Sequence, residues 1–267
     1  MIMATYGLST EMHERIAQEL YEAETTGEHV QLLSRVYPVL TTADAYAIQQ
    51  LGLELRLANG GRVVGRKIGI TSEGMMRMLE CSMPDFGYLL EDKLIPEGGT
   101  CKLDELINPF VEGELAFIMG EDLSTGPITE EDIMRATSYV VPCFEVCDTR
   151  FHDWTFTVRD TIADDASAAR FMISSSTREL NEIEPSAISM TLEKNGEVVG
   201  TATGAEVMGS PVNSVLWLAN KLLEFGDCLR AGDIVLSGSF MQADFPQVGD
   251  EYTITMKGFT PLSMSFA

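Results

Sequence analysis

The sequence predicts an α+β fold: a helical N-terminal part over residues 1–60 packed on a β-rich body over 61–267, as one continuous domain. Three observations predict it. Apolar residues recur at helical spacing near the N-terminus, as in Met12, Ile16 and Leu20. From about residue 105 the chain turns to short apolar or alternating runs, the pattern of strands. Lys194-Asn195-Gly196-Glu197 separates two such runs, and Asn-Gly supplies the positive φ angles that a two-residue hairpin turn requires.

The elements follow in order. A first helix starts behind Ser9-Thr10. A second begins at Thr41, with Asp44 as its capping-box partner, turns Ala45, Ile48, Leu51 and Leu55 inward and stops at Asn59-Gly60-Gly61. Arg62–Ile70 reads as a strand with Gly65, Lys67 and Gly69 on one face. A lysine between two glycines has open space around its ammonium, which suits a ligand-facing lysine; glycine-rich strands also mark bulges or close packing. A short helix after Thr71-Ser72 carries Met75, Met76, Met78 and Leu79, read as core filling. Pro84-Asp85-Phe86-Gly87 reads as a turn that presents Asp85. Beyond residue 105 one clear helix is expected, with Ser210 as N-cap, Pro211 first and Gly226 as stop; Val212, Val215, Leu216, Ala219, Leu222 and Leu223 form its buried stripe. Ala231–Ser239 reads as a turn and an apolar strand, and alternating strands run on through Met264 and Phe266.

Composition narrows the function. The 18 basic and 41 acidic side chains leave a net charge of −23, which argues against nucleic acid or anionic membranes as partners. Met1-Ile-Met-Ala-Thr-Tyr6 lacks a basic region followed by an apolar run, so no signal peptide is expected, and no apolar stretch approaches a membrane span. Five cysteines, an odd number without Cys-x-x-Cys, fit a reducing compartment, and a cytoplasmic location is expected.

The chemistry lies in carboxylates. There is no Walker motif, no dinucleotide glycine fingerprint and no Gly-x-Ser-x-Gly elbow. Three scattered histidines are too few for a histidine metal site; for His152 a proton carrier is one reading, a surface or packing residue the favoured one. Glu112 and Glu114 alternate on one strand, so they share a face while Leu115, Phe117 and Met119 take the other. Two carboxylates on one buried face repel, and a divalent cation would relieve them. With Glu145 from another strand they would make an all-oxygen site for Mg²⁺ or Mn²⁺. On spacing alone, a solvated pair of glutamates is the favoured reading, because Glu-x-Glu is common. Cys143 and Cys147 flank Glu145 on its own face. A thiolate-containing site is one reading, small buried packing residues the favoured one.

Eight segments occur in a recognisable order: Gly65-Arg-Lys-Ile-Gly-Ile-Thr71, Pro84-Asp-Phe-Gly-Tyr88, Glu112-Gly-Glu-Leu-Ala-Phe117, Val141-Pro-Cys-Phe-Glu-Val-Cys-Asp-Thr-Arg150, Asp160-Thr-Ile-Ala-Asp164, Gly209-Ser-Pro-Val-Asn213, Trp217-Leu-Ala-Asn220 and Ala231-Gly-Asp-Ile-Val-Leu-Ser-Gly-Ser239. Together, from about residue 40 to the end, they resemble the 2-oxopent-4-enoate hydratase and 4-oxalocrotonate decarboxylase family of the fumarylacetoacetate hydrolase superfamily. The resemblance implies a mixed β-roll and Mg²⁺ or Mn²⁺ held by Glu112, Glu114 and Glu145. It also implies Lys67 and Asp85 as catalytic residues, and Lys67, Asp164 and Ser239 at the substrate. Homo-oligomerisation is implied too, as is association with a related decarboxylase.

The implied reaction is hydration of a short 2-hydroxy-2,4-dienoate to a 4-hydroxy-2-oxo acid, in meta-cleavage degradation of aromatic compounds. The nearest rival is decarboxylation of 4-oxalocrotonate, whose second carboxylate would need a cation such as Arg66 or Arg170. A purely structural partner of such a decarboxylase is less favoured, because Lys67 and all three glutamates are intact. One position departs from the family: Ala163-Asp-Asp-Ala166 stands where related sequences read Ala-Asp-Asn-Ala, so Asp165 brings a charge where an amide is expected.

Overall fold

Local signals start and stop the N-terminal helices. The computed structural model describes residues 6–152 and 154–267. In helix α1 (Thr10–Thr26) the Ser9 hydroxyl accepts from the Met12 amide, and Gly27 ends the helix with φ 73°. After the single turn of α2 (Leu33–Val36), α3 (Thr42–Ala58) opens on the expected Thr41/Asp44 capping box. Ala45 and Ile48 are buried and Leu51 and Leu55 half-buried, with Leu53 completing the inner side. These helices do not form a core alone: Ile16, Leu20, Ala45 and Ile48 pack with Phe151, Ile162 and Ala163 from the body.

The body runs β1 (Val63–Gly69), α4 (Glu73–Met78), β2 (Asp85–Leu90), β3 (Thr100–Cys101), β4 (Phe110–Met119), α5 (Glu130–Ala136), β5 (Thr137–Cys147), α6 (Val158–Ala163), β6 (Ala168–Ile173), β7 (Ser189–Lys194), β8 (Glu197–Thr203), α7 (Pro211–Glu224), β9 (Ile234–Leu236), β10 (Glu251–Met256) and β11 (Leu262–Phe266). One sheet has the order β2-β1-β9-β4-β5-β6, the other β3-β11-β10-β7-β8. The main core gathers Leu115, Phe117, Phe144 and Val235 of the first sheet, Met190, Ile254 and Met264 of the second, and Val215, Leu218 and Leu222 of α7. The first sheet's other face carries a smaller cluster, Leu89, Ala116, Val141, Cys143, Phe171 and Leu236, beside which the acidic residues lie.

Several expectations hold and several give way. The β7–β8 hairpin turns at Asn195 (φ 54°) and Gly196 (φ 81°). Helix α7 has the expected Ser210 cap, Pro211 start and Gly226 stop, with Leu218 buried and Leu216 and Leu223 half-buried. The methionines of α4 are not core filling: Met75 is 38% and Met78 64% exposed. No residue of this helix is buried, and Leu79 just beyond its end reaches inside. Asp85 lies in no turn; it opens β2 because it pairs with Gly69 of β1. Two further helices, α5 and α6, interrupt the strands beyond residue 105. Both start on the Thr-x-x-Asp signal that marks α3, at Thr129/Asp132 and Thr157/Asp160.

Candidate active site

Strand register assembles the site. In the β4–β5 pair, Glu112 lies opposite Glu145 and Glu114 opposite Cys143. In β1, Lys67 faces Gly87 of β2 and Leu236 of β9, while Leu236 also faces Ala116 of β4. Directly paired residues share a face and side chains alternate along each strand. Lys67, Asp85, Glu112, Glu114, Glu145 and Cys147 therefore all project from the same side of one sheet.

The glycines beside Lys67 serve close packing. A Cβ on Gly65 would lie 1.8 Å from the Ile234 carbonyl oxygen, so this glycine admits strand β9. A Cβ on Gly69 would lie 2.3 Å from Asp85 Oδ1 and 3.3 Å from Lys67 Nζ. The missing side chain brings carboxyl and ammonium together, and the open space expected around Lys67 is filled. Lys67 Nζ donates to the Ala166 carbonyl at 3.0 Å and sits 3.2 Å from Glu145 Oε1. Asp85 Oδ2 accepts from the Thr161 hydroxyl at 3.1 Å.

These charges are buried with few partners. Glu114 Oε2 accepts from the Gly238 amide at 2.8 Å. Glu114 Oε1, both oxygens of Glu145 and Asp85 Oδ1 are buried without a hydrogen bond. Desolvation, with the charges of Glu145 and Glu112, pushes the Glu114 carboxyl well above the usual range. Desolvation and the Glu145 charge raise Glu112 to about 7, and desolvation raises Asp85. Burial works against a charged Lys67, but Cys147, Glu145, Asp85 and Glu112 outweigh it and its pKa rises. Orphaned, mutually repelling carboxylate oxygens are what a hard divalent cation satisfies, and the donor set is the oxygen type that Mg²⁺ and Mn²⁺ prefer. The residues present fit such an ion.

A tight loop closes the site. Asp165, Ala166 and Ser167 all take positive φ, 54°, 51° and 60°. Such angles cost non-glycine residues about 1–2 kcal/mol each. Arg150 holds the loop: its Nε donates to the Asp164 carboxylate and its Nη2 to the Asp164 carbonyl. Asp164 is thus committed to a buried ion pair. Asp165 Oδ1 accepts from the Tyr88 amide at 2.9 Å, a role an asparagine carbonyl oxygen would fill equally. Ser239 lies beyond Gly238, its hydroxyl donating to the Met241 carbonyl at 2.7 Å. His152 is exposed and its ring lies against His29. Arg66 and Arg170 do not join the site. Arg66, alternate to Lys67, pairs with Asp227 and stacks on Tyr88, and Arg170 pairs with Glu105.

The sequence reading missed three participants. Thr161, inside the Asp160–Asp164 motif, orients Asp85. Ser167 has a buried hydroxyl with no partner beside the Lys67 anchor. Cys147, for which packing is the favoured sequence reading, has its sulfur among Glu112, Glu145 and Lys67.

The fumarylacetoacetate (FAA) hydrolase C-terminal family matches residues 81–267. The chain belongs to this family. It is 38% identical over 255 residues to a 2-hydroxyhexa-2,4-dienoate hydratase of Comamonas testosteroni, covering 95% of this chain and 97% of that one. It is 42% identical over 213 residues to a 2-hydroxypent-2,4-dienoate hydratase of Pseudomonas putida, covering 79% and 96%. Among solved structures it matches the 4-oxalocrotonate decarboxylase of Pseudomonas putida G7, complexed with magnesium and adipate. There the TM-score is 0.95 and the identity 31%, over 98% of this chain and 100% of that one.

Proposed function

We propose that this chain is a hydro-lyase. It adds water to a short 2-hydroxy-2,4-dienoate, the enol of a 2-oxopent-4-enoate, to give a 4-hydroxy-2-oxo acid in meta-cleavage degradation of aromatic compounds. The observation that carries the proposal is the buried set of carboxylate oxygens without hydrogen bonds, from Asp85, Glu114 and Glu145, gathered around the single ammonium of Lys67. It stands in a chain whose relatives over most of its length are dienoate hydratases.

Glu112, Glu114 and Glu145 would hold Mg²⁺ or Mn²⁺, which when bound supplies Lewis acidity for negative charge on the substrate's 2-oxygen. Lys67 adds a fixed positive charge for the substrate carboxylate or the developing enolate. The Ala166 carbonyl already orients it, so little reorganisation is needed. Asp85 moves the proton. Burial raises its pKa above the ordinary carboxyl range, which suits a proton donor; Thr161 fixes Oδ2, and Oδ1, without a hydrogen bond, would deliver a proton to the far carbon of the dienol. As the far carbon gains this proton the 2-hydroxyl loses its own and becomes the 2-oxo group; water then adds its oxygen at the β-carbon and gives its second proton back to Asp85, and the proton lost from the 2-hydroxyl is returned to the α-carbon. Asp164 acts through Arg150 to shape the loop that anchors Lys67, and Ser239 borders Glu112.

A monocarboxylate is favoured over a dicarboxylate, because Arg66 and Arg170 are engaged away from the site. The test supplies 2-hydroxypenta-2,4-dienoate and 4-oxalocrotonate separately and follows dienol absorbance, hydrated product and CO₂. Hydration of the monocarboxylate without CO₂ is expected. CO₂ from the dicarboxylate would move the assignment to a decarboxylase. Self-association in the cytoplasm completes the proposal, and light scattering of the purified chain checks the association.

A further inference from the structure

Cys147 follows Glu145 by two residues on β5, and Glu112 lies opposite Glu145 on β4, so register alone brings three ligand-type side chains together. Cys147 is 2% exposed; its thiol donates to Glu112 Oε2 at 3.9 Å, and its sulfur lies 3.8 Å from Lys67 Nζ. That sulfur and one oxygen each of Glu112 and Glu145 all lie within 4.8 Å of one another. A cysteine beside carboxylates would not by itself make a site. The independent observation is Glu145, 1% exposed at the same place, whose Oε1 is met only by the Lys67 ammonium and whose Oε2 has no partner.

We infer that the centre contains a second, sulfur-bearing ligand set, Glu112–Glu145–Cys147, which takes thiophilic divalent cations such as Zn²⁺ or Cd²⁺. The inference rests on the proposed metal site and adds a competing use of two of its ligands. Thiolate sulfur favours Zn²⁺ and Cd²⁺ and offers nothing to Mg²⁺. Ligand atoms around one tetrahedral Zn²⁺ lie about 3.4–3.6 Å apart, given Zn–S near 2.3 Å and Zn–O near 2.1 Å. The 3.9 Å from the Cys147 sulfur to Glu112 Oε2 approaches this, and rotation of the side chains would bring in Glu145, within 4.8 Å of both. On binding, the thiol releases its proton to solvent and the sulfur coordinates the ion. This set leaves out Glu114, the third ligand of the proposed hydration metal, and replaces it with sulfur. A thiophilic cation drawn to Cys147 therefore occupies two ligands of the catalytic ion without taking its position and acts as an inhibitor.

The experiment titrates the metal-stripped full chain with Cd²⁺, recording the ultraviolet thiolate-to-metal charge-transfer band and the cadmium NMR shift. Mn²⁺ binding is measured in parallel by electron paramagnetic resonance. One equivalent of Cd²⁺ should give the band and a sulfur-containing resonance. Cys147→Ala and Cys147→Ser should lose the band and bind Cd²⁺ at least about tenfold more weakly, with Mn²⁺ affinity changed far less. Cys143→Ala should keep the band. The wild-type NMR shift decides even where a variant fails to fold. An oxygen-only cadmium resonance in the wild type, or a band that survives Cys147→Ala, overturns the inference while Mn²⁺ binding leaves the metal site standing. Failure of both Mn²⁺ and Cd²⁺ to bind overturns the metal site and the inference together.

Discussion

Lys67 shows how little of a residue's role lies in its own chemistry. Its ammonium stands among four anionic or thiol groups and is steered by one carbonyl, that of Ala166. Removing the charge should slow chemistry without emptying the metal site, because Lys67 competes with a cation for Glu145. For Lys67→Met we expect kcat to fall by about 10²–10³-fold, the usual scale for loss of one preorganised charge. Mn²⁺ affinity should hold or rise. Parallel kinetics and Mn²⁺ titration check this, and unchanged turnover would remove Lys67 from the mechanism. Strand parity made Glu112, Glu114 and Lys67 legible in the sequence, since alternate positions must share a face. Parity also placed Cys147 beside Glu145. It could not distinguish a thiol that packs from one that faces carboxylates, because that depends on which strand lies alongside.

Between elements, the close approach of β2 to the 164–167 loop controls the site. A Cβ on Gly87 would lie 2.2 Å from the Asp165 carbonyl oxygen. The contact is with backbone, so no side chain can swing away to relieve it. Gly87→Ala should push back the loop that carries the Ala166 carbonyl and lower kcat/KM by at least about tenfold, as sub-ångström misplacement of catalytic groups does. Thermal unfolding should show a loss of about 1–3 kcal/mol, the cost of overpacking. A folded Gly87→Ala variant with wild-type kinetics would remove this contact from the account of the site. The helices were legible where a capping signal was recognised. The same Thr-x-x-Asp pattern at Thr129 and Thr157 went unread because the six- and seven-residue helices behind it are too short to show a helical period. Asp85 looked like a turn residue because Pro84 and Gly87 are turn formers; its pairing with Gly69, sixteen positions earlier, is a tertiary fact.

For the whole molecule, Glu24 ties the helical part to the body. Its carboxylate accepts from Arg56 of α3 at 3.0 Å and lies 2.7 Å from Lys93, which follows β2. Burial opposes its charge, but Arg56, Arg150 and Lys93 pull its pKa down from 4.5 to about 2. A carboxyl depressed in the folded state contributes stability above its unfolded pKa and loses it as pH falls through the folded one. The stability gap between wild type and Glu24→Gln should therefore be full above pH 4.5 and shrink as pH falls towards 2. Denaturant melts across that range would show it, and a gap independent of pH would exclude the ion pairs as its source. The helical and β-rich parts were legible, but the sheet order was not. Strand β9 enters between β1 and β4 although more than a hundred residues separate it from either. Local pattern carries no information on such an insertion, and only the family resemblance pointed to the roll.

The decisive measurement removes divalent metal and follows hydration of 2-hydroxypenta-2,4-dienoate as Mn²⁺ is returned, with occupancy read by electron paramagnetic resonance. A metal-dependent hydratase should be inactive when stripped and gain turnover in proportion to occupancy. Glu114→Gln should shift both curves to Mn²⁺ concentrations at least about tenfold higher. Full turnover in the stripped protein, or Glu114→Gln curves that overlie the wild type, would contradict the assignment of these buried glutamates to the metal.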